Sequence, residues 1–126
     1  HAPDEFRPAF QILLYPVITM DKRYTHDLSR KMLIGDHPTP EVVNQYSNEK
    51  QVDSKTPPAF IVLADDDDVV SPVNSAWYYA ALKEKRIPAN LHVYPKGGHG
   101  FGMSHKWNYN ANMLLDLSDW LCQRWK

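Results

Sequence analysis

The chain has a single cysteine in 126 residues, so it can form neither an intrachain disulfide nor a cysteine-based metal site. Cys122 falls within an amphipathic C-terminal pattern and is expected to be a packed thiol. No apolar run approaches the roughly 20 residues that a membrane-spanning helix needs. Neither charge dominates: 14 Lys and Arg against 15 Asp and Glu leave a formal net charge of -1. The basic residues do not cluster, which removes the electrostatic footprint of a nucleic-acid binder. No two of the six histidines have the i, i+4 spacing of a helical metal site, and no metal or organic cofactor is implied. The chain also lacks a serine elbow. None of its seven serines (29, 47, 54, 71, 75, 104 and 118) lies in a G-x-S-x-G sequence. Internal repeats, low-complexity tracts and linkers are absent, so residues 1–126 are expected to form one domain.

What is present reads as strands alternating with helices. Phe10 to Tyr15 is a mostly apolar run stopped by Pro16, and it reads as a strand buried on both faces. A short helix fits Leu28 to Ile34, ended by Gly35, and Pro40 can open another through Tyr46. Thr56-Pro57-Pro58 leads into a second strand, Ala59 to Ala64. Ser71 and Pro72 suit the N-cap and first residue of a helix to about Arg86, with Val73, Ala76, Trp77, Ala80 and Ala81 as its apolar stripe. Leu91 to Tyr94 is the third strand. Met113, Leu114, Leu117, Trp120 and Leu121 mark the core face of a last helix. Strands separated by helices imply parallel pairing through right-handed crossovers. In such sheets, reactive groups collect just beyond the C-terminal strand ends.

Two segments occupy that position. After the second strand comes Asp65-Asp66-Asp67-Asp68, and after the third comes Gly97-Gly98-His99-Gly100. Four adjacent Asp residues are most often a solvated turn, and a lone His is more often structural than catalytic. The Asp run is no EF-hand, because the sixth position from Asp65 is Val70 where Gly is required. An acid-bearing turn after a buried strand can, however, aim a carboxylate at the neighbouring strand's loop. Glycines on both sides of His99 permit unusual dihedrals and a close approach of another segment. His92 alternates within a strand and reads as a surface or packing residue, whereas His1, His26, His37 and His105 fall in loops without obvious carboxylate partners.

The segment Pro57 to Ser75, with its Ala64-Asp65-Asp66-Asp67-Asp68-Val69-Val70-Ser71-Pro72 core, resembles the acid segment of esterase and lipase α/β-hydrolases. Tyr94-Pro95-Lys96-Gly97-Gly98-His99-Gly100-Phe101-Gly102 resembles their base segment. Ile12 to Ile18 is similar to the strand and loop that follow the nucleophile helix in the same proteins. The resemblance covers nearly the whole chain. It leans to the acetyl-xylan-esterase-like and carboxylesterase branch, which borders the prolyl-oligopeptidase-like enzymes.

The resemblance implies an α/β fold of parallel strands with flanking helices, namely the C-terminal half of an α/β-hydrolase. The nucleophile-bearing N-terminal portion would lie outside these residues. By its place before Val69-Val70, Asp67 is implied as the triad acid, with Asp66 as its rival; His99 is implied as the base. The implied activity of the complete protein is serine-dependent hydrolysis of a carboxylic ester, with acetyl as the leading acyl group and an acylated polysaccharide as one candidate substrate. Alternatives are a segment of a prolyl-oligopeptidase-like serine peptidase, or an inactive remnant serving as a binding or assembly module. The isolated chain is expected to be inactive. Should it turn over substrate, Ser104 is the first suspect for an overlooked nucleophile. Self-association, or pairing with the N-terminal portion, is expected to cover the open edge of the first strand.

Overall fold

The computed structural model describes residues 6–124. His1 lies outside them. In chain order the elements are β1 (Gln11–Leu14), α1 (Asp27–Ile34), α2 (Pro40–Tyr46), a 3-10 turn (Asn48–Lys50), β2 (Ala59–Ala64), α3 (Val73–Glu84), β3 (Ala89–Tyr94) and α4 (Asn110–Arg124). The strands form one parallel sheet in the order β1-β2-β3. The described helices include none long and apolar enough to cross a membrane.

β2 is central because every one of its six residues, Ala-Phe-Ile-Val-Leu-Ala, can be buried, and every one is. The period-2 alternation of a strand divides them between two cores. Phe60, Val62 and Ala64 pack with Met113, Leu117 and Trp120 of α4. Ala59 and Ile61 pack with Tyr78 and Leu82 of α3 and with Ile18. Full burial of a residue of the Val, Leu, Ile or Phe class contributes about 1.5–3 kcal/mol, so β2 is the largest single contributor to the sheet.

Several expectations need correction. β1 is shorter than Phe10 to Tyr15 and is not buried on both faces; Ile12 is 37% exposed. The reason is that β1 pairs with β2 alone, and among the described residues nothing pairs with its outer edge. α3 begins at Val73, with Pro72 in the cap position making no side-chain cap bond. Its core face is Asn74, Ser75, Tyr78 and Leu82, while Ala76 and Ala80 of the expected stripe face solvent. β3 starts two residues earlier than expected, at Ala89. On α4, Met113, Leu117 and Trp120 are buried but Leu114 is exposed. Cys122 is exposed too, where packing was expected.

The α3 error has a clear physical source. Asn74 is fully buried, and its amide uses every hydrogen-bonding position. Its Oδ1 accepts from the backbone N–H groups of Ile18 and Thr19, each at 3.0 Å. Its Nδ2 donates to the carbonyls of Tyr24 at 2.7 Å and Ser71 at 3.0 Å. A polar residue satisfied in this way belongs inside, and it turns the helix so that small apolar residues face out. Ser47 acts similarly: its buried hydroxyl accepts from the Met20 N–H at 3.0 Å.

Two outcomes follow from these contacts. Asn74→Ala strands several buried backbone groups, so denaturant unfolding should show a loss of about 3 kcal/mol or more. The open β1 edge is a template for another strand. Light scattering should therefore give a mass above that of one 126-residue chain, rising with concentration. A monomer mass at every concentration would show that the edge is protected.

Candidate active site

The turn after β2 and the turn after β3 meet because their parent strands are hydrogen-bonded neighbours in register, Ala64 opposite Tyr94. The Asp65 N–H donates to the Tyr94 carbonyl at 2.8 Å, which carries the ladder one residue past β2. The four aspartates then part company. Asp65, Asp66 and Asp68 are exposed, whereas the Asp67 side chain is 1% exposed.

A buried carboxylate needs donors to replace its lost water. Asp67 has three. Its Oδ1 accepts from the Val69 and Val70 N–H groups, both at 2.9 Å, inside its own turn. Its Oδ2 lies 2.8 Å from Nδ1 of His99. An ionised carboxylate only accepts, so in the neutral imidazole Nδ1 carries the proton and Nε2 presents its lone pair. The His99 side chain is 29% exposed, so the carboxylate is sheltered while the imidazole remains reachable.

Asp66 points elsewhere. Its Oδ1 accepts from the Gly98 N–H at 2.7 Å, the residue before the imidazole. The adjacent carboxylates thus grip one turn twice, Asp66 by its backbone and Asp67 by its side chain. Of the two, only the Asp67 carboxylate reaches the imidazole, whereas Asp66 reaches the backbone of its turn.

The His99 turn is held from beneath as well. The Trp107 indole N–H donates to the Lys96 carbonyl at 2.8 Å, and Trp107 stacks on Phe101 with centroids 4.0 Å apart. Gly97 has φ +154°, and a Cβ there would come within 2.6 Å of Trp107 Nε1 and 3.0 Å of Phe101. Only glycine lets the backbone lie this close to the aromatic floor. At the start of the turn, the Tyr94 hydroxyl donates to Asp116 Oδ2 at 2.7 Å. Burial, and then the hydrogen bond to Asp116, push the Tyr94 phenol well above its ordinary pKa, so it stays neutral.

Of the remaining histidines, His92 packs on Phe60 with ring centroids 4.7 Å apart, and His26 caps α1 through Nδ1. Ser104 is exposed; its hydroxyl accepts from the Lys106 N–H at 3.3 Å, and the described residues include no hydrogen bond from it to His99. Sequence reasoning missed Tyr15, whose ring lies 4.4 Å from that of His99. No pattern around β1 signals that contact.

A parallel sheet between helices, with a carboxylate and an imidazole joined across consecutive strand-end turns, is the architecture of an α/β-hydrolase. Residues 2–125 match the family model described as the prolyl oligopeptidase family, and the chain belongs to that family. An acetylxylan esterase of Xylanibacter ruminicola is 41% identical over 124 residues, which are 95% of this chain and 26% of that protein. An endo-1,4-beta-xylanase B of Butyrivibrio fibrisolvens is 46% identical over 99 residues, or 79% of this chain and 15% of that protein. The crystal structure of an acetyl ester-xyloside bifunctional hydrolase from Caldicellulosiruptor lactoaceticus is 37% identical, with a TM-score of 0.75. It covers 94% of this chain, which spans 42% of that structure. The chain therefore spans about a quarter or less of the length of these curated relatives.

The double grip on the His99 turn is testable. Asp66→Ala should free the Gly98 N–H and raise its hydrogen exchange, whereas Asp66→Asn keeps an acceptor oxygen and should restore most of the protection. Equal exchange in wild type and Asp66→Ala would show that the 2.7 Å contact does not hold the turn.

Proposed function

We propose that this chain supplies the acid, Asp67, and the base, His99, of a serine-dependent carboxylic-ester hydrolase. The complete protein would remove small acyl groups, acetyl first among them, from a carbohydrate. The observation that carries the reading is the 2.8 Å contact between sheltered Asp67 and accessible His99. The relatives named for acetylated-xylan chemistry support the acyl and carbohydrate parts of it.

In this reaction, Nε2 of His99 accepts the proton of a serine hydroxyl as its oxygen bonds to the acyl carbon. The same proton passes to the departing alcohol oxygen as the ester C–O bond breaks. Water then attacks the acyl-enzyme by the reverse proton route. Asp67 holds the Nδ1–H tautomer and stabilises the imidazolium formed on the way. The serine and the oxyanion donors would come from the remainder of the protein, and that remainder would also pair with the β1 edge. Loss of one oxyanion donor alone typically costs about 100- to 1000-fold in rate.

A second reading is favoured by the family match itself: the same acid and base could serve a prolyl-oligopeptidase-type serine peptidase. One assay set separates these readings. The complete protein should deacetylate acetylated xylo-oligosaccharides and leave proline-containing peptide anilides intact; the opposite pattern selects the peptidase. Asp67→Asn should lower kcat by about 10,000-fold with folding preserved, as expected when the imidazole tautomer is lost. The 126-residue chain alone should hydrolyse p-nitrophenyl acetate no faster than its His99→Ala variant. Saturable turnover by the isolated chain would reveal a nucleophile within it.

A further inference from the structure

The imidazole of His99 is held at one nitrogen by Asp67, and a ring held at one point can still tilt about that hydrogen bond. A second restraint comes from the other side of the sheet. Tyr15 immediately follows β1 and continues its ladder, its N–H donating to the Val62 carbonyl at 2.7 Å. Its φ is +39°, a left-handed value for a bulky residue. Such backbone costs of order 1–3 kcal/mol and persists only when its surroundings over-determine it. The ring lies 4.4 Å from the His99 ring at 60°, and it packs edge-on against Phe101 at 4.9 Å and 80°. Phe101 in turn stacks on Trp107, which anchors the base turn. Tyr15 is therefore a wedge between the imidazole and the aromatic floor, and the strained backbone is what places it there.

We propose that Tyr15 is a positioning residue for His99, its ring closing one side of the imidazole so that Nδ1–H stays on Asp67. The ring also lies within the roughly 6 Å over which an aromatic face attracts a cation, so it suits the imidazolium that forms when His99 accepts a proton. Its catalytic meaning rests on the proposed role of His99, but its test requires no turnover.

The experiment is proton and nitrogen NMR of the 126-residue chain labelled at histidine, with His99→Ala identifying the His99 signals. Wild type should show a slowly exchanging Nδ1–H hydrogen-bonded to carboxylate. Tyr15→Phe keeps the ring and should retain that signal. Tyr15→Leu keeps apolar bulk without an aromatic face, and its Nδ1–H should exchange about 3- to 10-fold faster, the range expected for losing one aromatic pair contact. Tyr15→Gly removes both strain and wedge. It should unfold at a higher denaturant concentration than Tyr15→Ala, because glycine accepts the positive φ, yet its Nδ1–H exchange should be as fast. Unchanged exchange in the Leu and Gly variants overturns the proposal, as does loss of the signal in Tyr15→Phe. A failed esterase assay would sink the proposed activity and leave these NMR results standing.

Discussion

A buried carboxylate joins the two ends of the candidate site. Removing an ionised group from water costs several kcal/mol unless donors replace the lost hydration. The Asp67 side chain is 1% exposed, and its donors come from two places: the Val69 and Val70 N–H groups of its own turn, and Nδ1 of His99 on the next strand's turn. The backbone pair sets the direction of Oδ1, and this leaves Oδ2 aimed outward. The turn after β3 must then bring a donor to that oxygen. Asp66, Trp107 and the Gly97 backbone bring it within reach. Each contact is modest, but together they fix the orientation of an imidazole that would otherwise be a loop side chain.

The convergence depends on β2. A strand buried on both faces lets α3 and α4 pack on opposite sides, and its two neighbours are therefore parallel and reached by crossovers. Consecutive parallel strands end at the same edge, which places the Asp turn beside the His turn. β1 ends there too, and so Tyr15 can touch His99 although 84 positions separate them in sequence.

That dependence explains what could be read in the sequence. β2 is unmistakable because an unbroken apolar run between Pro58 and Asp65 has only one use in a chain of this kind. The parallel order follows from the alternation of elements, and the placing of the Asp run beside His99 follows from their positions just past two successive strands. The failures share a cause. The composition of β1 fits a strand buried on both faces of a complete sheet, whereas its burial depends on which neighbours are present. On α3 an apolar stripe does not mark the core face, because Asn74 and Ser75, both polar, are among its buried residues. Burial of an amide depends on partners 50 or more residues away, at Ile18, Thr19 and Tyr24, and no local pattern records them. The register of the Asp run was ambiguous for a similar reason. Neighbouring side chains on an extended turn diverge, so one of Asp66 and Asp67 had to face the interior, and composition alone cannot say which.

The separation of Asp66 from Asp67 also bears on how much of the site this chain specifies by itself. Among the described residues, the contacts that orient His99 come from within residues 15–107: the carboxylate at Nδ1, the clamp on Gly98, the indole under Lys96 and the ring of Tyr15. None of them requires a nucleophile or an oxyanion donor. A base oriented before its nucleophile arrives has already met the conformational cost of its alignment, which is the sense in which a site is preorganised. On the proposed function, the remaining part of the protein would dock a serine against an imidazole whose tautomer and tilt are already set. The division of labour then has a physical logic. The proton-handling pair depends on the loops after β2 and β3 and is built locally, while the parts that contact the acyl group would be built on the other side of the β1 edge.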